Sequence, residues 1–356
     1  MQRRLRYSTF YFRLLISLIL SISASLVLLL ITNERQHSFV SNDEDLNVAD
    51  RIVLFVRTSH NCQSRLNYLL QSWISTEPYE QKNLYLITDY ISNKTNLTTL
   101  NSFRNLVQNQ CPRTHNRYDL CCKTAHEFHL FYNLSSIKTD LQWMCRFDDD
   151  QYVNVNNLYK YLSKLNASKS YYIGRTSINT RLKAPDSNRT FQFATYGAGV
   201  CFSRSLLEQL RPYIDIKEFP NNCLKHRLSD DAHIGYLIEI NLNISLTSIN
   251  DLFHSHLEKL NDSFRHFNLS DLTRMITFGF AWDRYRLEWL PIIHQLIKLV
   301  QRNQIESANY LWLFLRNYER EHPDNLIDKY DNSCLSYQIL RNQSMNLQKR
   351  KIKSSK

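Results

Sequence analysis

Three consecutive aspartates, Asp148-Asp149-Asp150 (the triple aspartate), follow the apolar run WMCRF at 143–147. Adjacent carboxylates repel one another, and at the end of a strand they favour a hard cation such as Mg²⁺ or Mn²⁺, which prefers oxygen ligands. A cation held there could bridge to a diphosphate and stabilise it as a leaving group. An exposed acidic turn, or the cap of a following helix, would explain the same residues without a metal. The hydrophobic strand that leads into the aspartates favours the metal site.

Two histidines, His254 and His256, stand two positions apart in the segment FHSHLE at 253–258. Side chains with this spacing point to the same face of a strand. Imidazole binds Mn²⁺ as well as zinc, so one of these histidines could complete a metal site with Asp150. A packed or solvated histidine is the commoner alternative, and the pair alone does not decide between the two.

A second acidic group, Ser229-Asp230-Asp231, precedes the helix-like segment AHIGYLIEI. Serine or aspartate before an apolar run is typical of a helix N-cap. The functional interpretation is a general base at the start of the helix. A helix N-cap would account for one of the two carboxylates and leave the other without an explanation.

Strand-like and helix-like segments alternate along the first half of the body. The strand-like runs cover 51–58, 83–89, 143–147 and 171–173, and the helix-like runs cover 65–73, 124–134 and 156–165. This alternation predicts an α/β fold with a mostly parallel central sheet that is covered on both faces. Ligands bind at the carboxyl ends of such strands, which is where Asp89 and the triple aspartate fall.

Glycine is rare, with five in 356 residues, and four of the five lie within 174–235. A chain that uses glycine so sparingly is expected to keep it where the backbone needs a positive φ or a close approach. This predicts a tight, ligand-facing loop at 194–199 (ATYGAG). The sequence has no GxGxxG or GxxxxGK[ST] motif, so Rossmann cofactors and P-loop nucleotides are not indicated.

An uncharged stretch of nineteen residues, 14–32, lies near the N-terminus. As a helix it would span roughly 28 Å, close to a bilayer core of about 30 Å. A cleaved signal peptide is the alternative, although its apolar region would be shorter, about 7–15 residues. Arginines precede the stretch, which predicts a cytoplasmic tail at 1–13, a single-pass type II anchor at 14–32 and a lumenal stem at 33–50.

The formal net charge of +11 could suggest a nucleic-acid partner. However, four arginines stand before residue 14 and five lysines or arginines stand among the last twelve residues, with no acid in either stretch. The remaining body is close to neutral, so no nucleic-acid partner is expected. Nine Asn-x-Ser/Thr sites agree with a lumenal body, although an asparagine-rich chain also makes such sites by chance.

Eight cysteines could pair in an oxidising lumen, and no CxxC or Cys/His finger spacing points to zinc. Beyond residue 282 the pattern becomes helical and rich in aromatic residues. It predicts a helical C-terminal extension at 283–342, either a cap on the domain or a small appended module. A basic tail at 343–356 is predicted to be disordered.

The ordered motifs between residues 51 and 280 resemble those of the Fringe family of β-1,3-glycosyltransferases, within the wider β-1,3-galactosyltransferase group. The matching residues are Arg65-Leu66, Leu69-Leu70, Trp73-Ile74-Ser75, Thr88-Asp89, Cys111, Cys122-Lys123, Trp143, Cys145, Asp148-Asp149-Asp150, Tyr152-Val153-Asn154, Tyr172-Ile173-Gly174, Phe193-Ala194-Thr195, Gly197-Ala198-Gly199, Cys201, Asp230-Asp231, Gly235-Tyr236 and Phe253-His254-Ser255-His256-Leu257-Glu258. A triple aspartate alone would be weak support, whereas the ordered set that ends in FHSHLE is specific.

The resemblance implies a GT-A fold, a nucleotide-sugar-binding α/β sandwich, in a catalytic domain at 51–282. It also implies a Golgi membrane protein whose catalytic domain is lumenal. The donor would be UDP-GlcNAc with Mn²⁺ (or Mg²⁺), and the acceptor would be O-linked fucose on EGF-like repeats, as in Notch receptors. Such a transfer inverts the anomeric carbon in one in-line displacement. It needs a base for the acceptor 3-hydroxyl and a cation for the leaving UDP.

The matched positions imply residue roles. By resemblance, Asp150 and His256 ligate the metal and Asp231 is the catalytic base. The residues expected around the donor are Asp148 and Asp149, beside the ribose and diphosphate, and further Thr58, Arg65, Asp89 and Lys123. The resemblance also implies the disulfides Cys111–Cys122 and Cys145–Cys201, and it leaves Cys62, Cys121, Cys223 and Cys334 unassigned.

Several residues depart from the Fringe pattern. Tyr196 replaces a glycine, Arg146 a histidine, Ser229 a proline, and Ala232-His233 a Cys-Thr pair. A ring at Tyr196 is expected to narrow the sugar or acceptor pocket. Together with the unmatched C-terminal segment, it keeps open a β-1,3-galactosyltransferase of the core 1 type, acting on O-linked GalNAc. A non-catalytic lumenal chaperone of the same fold is the third hypothesis, and the surviving acidic motifs argue against it.

Overall fold

The computed structural model describes residues 48–59, 63–74, 82–89, 103, 105–255, 268–279 and 289–321. The predicted anchor at 14–32, the basic tail at 343–356 and the metal-ligand candidate His256 lie outside the described residues. None of the helices in the described ranges is both long enough and apolar enough to cross a membrane.

A seven-stranded sheet forms the centre of the described part. Its strands are β1 (Ile52–Arg57), β2 (Leu84–Thr88), β3 (Leu106–Gln108), β4 (Trp143–Asp148), β6 (Tyr172–Gly174), β9 (Val200–Ser203) and β10 (Leu246–Ser248). The order across the sheet is β10-β6-β9-β4-β1-β2-β3, and within it β9 runs antiparallel to both of its neighbours. The predicted α/β class and the mostly parallel sheet that a GT-A fold requires are therefore confirmed.

Two short antiparallel pairs lie outside this sheet. They are β5 (Gln151–Val153) with β11 (Thr277–Gly279), and β7 (Leu182–Lys183) with β8 (Thr190–Phe191). The first pair matters for the site, because β5 begins directly after the triple aspartate. Its partner β11 fixes the direction in which the chain leaves that turn.

Helices cover both faces of the sheet. They are α1 (Gln63–Leu70), α2 (Arg117–Ile137), α3 (Val155–Leu162), α4 (Arg204–Leu210), α5 (Glu218–His226), α6 (Asp230–Tyr236), α7 (Leu269–Arg274), α8 (Trp289–Gln301) and α9 (Ile305–Glu321). Strand β1 explains the two layers, since alternate residues of a strand point to opposite faces. Leu54 and Val56 belong to one apolar cluster, and Val53 and Phe55 belong to the other.

Each cluster contains a different set of helices. The first cluster includes Leu69 of α1, Leu158 of α3, Ile293 of α8 and Trp312 of α9. The second includes Phe128 of α2, Leu207 of α4, Phe219 of α5 and Ile234 of α6. The C-terminal helices α8 and α9 therefore share the apolar core on one face of the central sheet. The other face carries α2 and α6, which supply site residues.

The ATYGAG loop requires glycine at one of its two glycine positions. Gly199 has φ 78° and ψ 152°, a region that only glycine adopts readily, and a Cβ there would lie 2.6 Å from the buried ring of Phe147. Gly199→Ala is therefore expected to lower the free energy of unfolding by about 2 kcal/mol or more. At Gly197 a Cβ would make ordinary contacts, the nearest at 3.6 Å. Gly197→Ala is thus the matched control, with an expected change below about 1 kcal/mol. Urea unfolding of both variants checks this, and equal losses would contradict it.

Candidate active site

The carboxyl ends of three adjacent strands meet at one edge of the sheet. Strands β1 and β4 are parallel and in register, with Arg57 opposite Asp148. On its other side, β1 pairs with β2, where Arg57 is opposite Ile87. The residues that follow β1 and β2, Thr58 and Asp89, therefore lie beside the start of the triple aspartate. The prediction that Asp89 and the triple aspartate fall at the carboxyl ends of strands is confirmed.

Asp149 and Asp150 share one arginine. Thr58 Oγ1 donates to Asp149 Oδ2 at 2.9 Å. Arg65 Nη1 lies 3.4 Å from Asp149 Oδ1 and 3.6 Å from Asp150 Oδ2. Burial raises the pKa of Asp149 to about 7 and that of Asp150 to about 6, although Arg65 opposes both shifts. The two carboxylates are thus only partly compensated by the protein.

Asp89 and Lys123 form a buried ion pair at the end of β2. Lys123 Nζ lies 3.0 Å from Asp89 Oδ2, and Ser59 Oγ donates to the same oxygen at 3.1 Å. Both members of the pair are buried. The structure brings these two predicted donor-pocket residues together beneath the surface of the site, where they join α2 to the sheet edge.

Asp230 is an ion-paired carboxylate at the start of α6. Its Oδ2 accepts from Arg57 Nη1 at 3.0 Å and from Thr124 Oγ1 at 2.8 Å. Burial would raise the pKa of Asp230, but Arg57 and Arg146 hold it below the ordinary value. Asp230 therefore stays ionised and anchors the helix start to the sheet.

Asp231, its neighbour, is only partly engaged. Its Oδ1 accepts from Ser229 Oγ at 2.6 Å and from the amide of Ala232 at 2.8 Å. No described residue donates to its Oδ2, and the side chain is half-buried. Burial, and then the charge of Asp230, raise the pKa of Asp231 to about 6. Adjacent carboxylates with pKa values pushed apart are the pattern of a structural anion beside a general base.

A buried arginine–glutamate network lies behind both acidic groups. Glu127 of α2 accepts from Arg57 Nε at 2.6 Å and Nη2 at 2.8 Å. It also accepts from Arg146 Nε at 3.3 Å, and Arg146 Nη2 donates to Asp148 Oδ1 at 2.7 Å. The network connects the triple aspartate to Asp230. Sequence reasoning missed Arg57 and Glu127. An arginine at the end of an otherwise apolar strand was the available signal. Buried charges are rare unless paired, so such an arginine indicates a buried acidic partner.

Tyr196 occupies the interior and does not line an open pocket. Its ring is 4% exposed and lies under the Arg146 guanidinium, 4.2 Å from the ring centroid. The expectation that this ring narrows the sugar or acceptor pocket is therefore wrong. Arg146 offers a cation for the ring to face, and this contact draws the ring inward.

Three disulfides support the site. Cys111–Cys122 and Cys145–Cys201 are present as the resemblance implied. A third bond, Cys121–Cys223, joins α2 to α5 and was not predicted. Cys62 and Cys334 lie outside the described residues.

The donor set fits a hard divalent cation. The carboxylates at this edge and behind it are Asp89, Glu127, Asp148, Asp149, Asp150, Asp230 and Asp231, and the cations paired with them are Arg57, Arg65, Lys123 and Arg146. The surplus of negative charge favours binding of a cation. Among the described residues the triple aspartate does not form a group of three carboxylates close enough to share one ion, and His256, the expected partner of Asp150, lies outside the described residues.

The fold and the site together define an α/β protein with an acidic ligand site at the carboxyl ends of a mostly parallel sheet. The Fringe-like family model matches residues 47–294, and the chain belongs to this family. The resemblance seen in the sequence is confirmed.

Three relatives illustrate the similarity. The chain is 36% identical over 225 residues to the β-1,3-N-acetylglucosaminyltransferase lunatic fringe of Xenopus laevis, covering 61% of this chain and 56% of that protein. It is 34% identical to the radical fringe enzyme of the same organism, covering 61% and 62%. It is also 34% identical to the Fringe glycosyltransferase of Drosophila melanogaster, covering 59% and 50%. The chain thus spans between half and two thirds of the length of these relatives.

One solved structure illustrates a distant similarity. A glycosyltransferase involved in the glycosylation of the major capsid of PBCV-1 aligns with a TM-score of 0.37 and 9% identity, over 68% of this chain and 99% of that one. A similarity of this size supports no argument about the site.

Proposed function

We propose that this protein is a Fringe-type β-1,3-N-acetylglucosaminyltransferase. It transfers N-acetylglucosamine from UDP-GlcNAc to O-linked fucose on EGF-like repeats and depends on Mn²⁺ or Mg²⁺. The observation that carries this proposal is the difference between Asp230, which is ion-paired to Arg57 and has a lowered pKa, and Asp231, which has no ion pair with a described residue and has a raised pKa. Membership of the Fringe-like family supports the choice of donor and linkage.

Asp231 acts as the base in the proposed reaction. Its Oδ2 accepts the proton of the fucose 3-hydroxyl as that oxygen attacks the anomeric carbon. A pKa near 6 leaves Asp231 mostly ionised at neutral pH yet basic enough to take a proton. Ser229 and the amide of Ala232 hold Oδ1, which orients the carboxylate.

The donor half of the site uses the triple aspartate. Asp150, with His256 as the expected second ligand, would hold the cation, and the bound cation supplies charge neutralisation for the leaving diphosphate. Arg65 stays between Asp149 and Asp150 and fixes both carboxylates. Thr58 holds the second oxygen of Asp149.

We further propose that the protein is a single-pass type II Golgi membrane protein with its catalytic domain in the lumen. The uncharged stretch at 14–32 and the arginines before it support this orientation. Three disulfides among the described residues support an oxidising compartment. Glycosylation of the sequons, measured as a mobility shift after glycosidase treatment, tests the lumenal assignment.

The function is tested with the full chain, purified in detergent and supplied with Mn²⁺. UDP-GlcNAc and UDP-Gal are compared as donors, with an O-fucosylated EGF repeat and a GalNAc-peptide as acceptors. Transfer of GlcNAc to fucose supports the proposal. Transfer of galactose to GalNAc would replace it with the core 1 type of galactosyltransferase. Absence of both transfer and Mn²⁺-dependent UDP binding would favour the chaperone.

The pH dependence follows from Asp231. The value of kcat/KM is expected to rise through about pH 6 and then level off, because the base must be ionised and its pKa is raised to about 6. Protonation of Asp150, whose pKa is also raised to about 6, would compete with the metal in the same range. pH profiles at two Mn²⁺ concentrations separate the two groups. Saturating Mn²⁺ shifts the acid limb that is caused by protonation of Asp150 to lower pH, and it leaves the limb of Asp231 in place. If the acid limb of kcat/KM at saturating Mn²⁺ lies near pH 4 instead of near pH 6, the result contradicts the role of Asp231.

A further inference from the structure

Arg146 and Tyr196 form a buried contact between the triple aspartate and the ATYGAG loop. The Arg146 guanidinium stacks over the Tyr196 ring, with 4.2 Å between its central carbon and the ring centroid. The same guanidinium donates to Asp148 Oδ1 at 2.7 Å and to Glu127 Oε2 at 3.3 Å. One planar cation thus holds an aromatic face and two carboxylates at once. The single ammonium of a lysine cannot reproduce this geometry.

A second connection joins the same two segments through Gln151. Its Oε1 accepts from the amide of Asp148 at 2.9 Å, and its Nε2 donates to the carbonyl of Tyr196 at 3.3 Å. Gln151 is fully buried. Asp148, Arg146, Tyr196 and Gln151 therefore close a ring of contacts. This ring fixes both the backbone and the carboxylate of Asp148 relative to the ATYGAG loop.

Asp148 keeps one carboxylate oxygen outside this ring of contacts, because Arg146 binds only Oδ1. Its side chain is 30% exposed, compared with 9% for Asp149 and 20% for Asp150. No described residue donates to its Oδ2, so that oxygen can accept from a hydroxyl group of a ligand. Asp148 is thus the most accessible carboxylate of the three, and its orientation depends on Arg146.

Two atoms of the pair lack partners. Arg146 Nη1 and the hydroxyl of Tyr196 are buried and make no hydrogen bond within the described residues. Buried polar atoms without partners are destabilising, and in native proteins they call for an explanation such as a functional role. The buried contact between Arg146 and Tyr196 is therefore better explained by the position that it gives Asp148 than by a contribution to stability.

We propose that Arg146 and Tyr196 are positioning residues that orient Asp148 toward the ribose hydroxyls of a nucleoside diphosphate sugar, and so set donor affinity. This inference rests on the proposed function. It adds to it two residues that the Fringe resemblance assigns to no role.

The test uses steady-state kinetics of the full chain at saturating Mn²⁺ with UDP-GlcNAc as the varied donor. Arg146→Lys keeps a positive charge beside Glu127 but loses the planar contacts, so it is expected to raise the donor KM about tenfold. Its kcat and acceptor KM should change less than about threefold. Tyr196→Leu should raise the donor KM about threefold. The double variant should have nearly the same donor KM as Arg146→Lys alone. Arg211→Lys is the matched control. Arg211 also lies over a tyrosine ring, that of Tyr132 at 5.2 Å, but Arg211 is exposed and its ion pair is with Glu208.

The outcomes separate this inference from the proposed function. An active wild type whose donor KM is unchanged in Arg146→Lys overturns the inference alone. A fall in kcat at constant KM would also overturn it, because a merely structural defect lowers the amount of active enzyme. A folded wild type that transfers from neither UDP-GlcNAc nor UDP-Gal overturns the proposed function, and the inference with it. If Arg146→Lys does not fold, Tyr196→Leu decides by the same criteria.

Discussion

Replacing Asp231 with asparagine is expected to lower kcat by about 10²- to 10⁴-fold and to leave the donor KM within about threefold. The amide cannot accept the acceptor proton. It can still keep the local structure, because both existing hydrogen bonds reach Oδ1, and an asparagine carbonyl oxygen accepts from the same two donors. The loss should therefore appear in the chemical step. It is measured as initial rates of GlcNAc transfer to the O-fucosylated EGF repeat.

Asp140→Asn is the matched control for this variant. Asp140 is an exposed carboxylate that precedes β4, at the opposite end of the strand from Asp148. It should retain wild-type kinetics. Normal turnover by Asp231→Asn would remove Asp231 from the mechanism. Loss of donor binding in the same variant would instead indicate a role in the donor pocket.

The difference between Asp230 and Asp231 could not have been predicted from the sequence. Two adjacent aspartates before an apolar helix give no indication of which one is ion-paired. The answer depends on Arg57 and Thr124, which lie 173 and 106 residues away from Asp230 in the chain. Only tertiary packing brings β1 and α2 to the start of α6, and the charges of Arg57 and Arg146 then hold the pKa of Asp230 below that of Asp231.

Local patterns did predict the strands that carry the site. The runs at 51–58, 83–89 and 143–147 correspond to β1, β2 and β4, because parallel strands buried on both faces are continuously apolar. The direction of β9 was not predicted, since the pairing of a strand with distant neighbours leaves no local trace. Helix α2 begins at Arg117, seven residues before the predicted start, because its polar first turns hide the apolar period.

The disulfide pairing of the cysteines also could not be predicted from the local sequence. Cys121 and Cys122 are neighbours in the sequence yet bond in different directions, to Cys223 and Cys111 respectively. Consecutive residues of a helix point about 100° apart, so each can meet a different element. A Cys-Cys pair within a helix can therefore form two separate crosslinks, but the predicted helix began only at residue 124 and did not include Cys121 and Cys122.

Substitution of Glu127 is expected to have the largest effect on the free energy of unfolding. This residue is completely buried and compensates both Arg57 and Arg146. Glu127→Gln keeps the side-chain volume but removes the negative charge between two buried guanidinium groups. Breaking a buried pair in this way costs about 3–5 kcal/mol, because the two guanidinium groups stay desolvated and keep only Asp230 and Asp148 as counter-charges. We expect a loss of that size in the free energy of unfolding, measured by urea denaturation of the disulfide-intact chain.

Asp50→Asn provides the comparison that identifies burial as the cause. Asp50 Oδ1 lies 2.9 Å from Lys82 Nζ, a distance as short as those in the network, but the side chains are 48% and 54% exposed. Water already solvates both charges, so this substitution should change the free energy of unfolding by less than about 1 kcal/mol. Similar losses in the two variants would show that the network contributes no more than a surface ion pair. A large loss confined to Glu127→Gln would establish that the sheet edge carrying the triple aspartate and the helix start carrying Asp231 are held together by one buried charge.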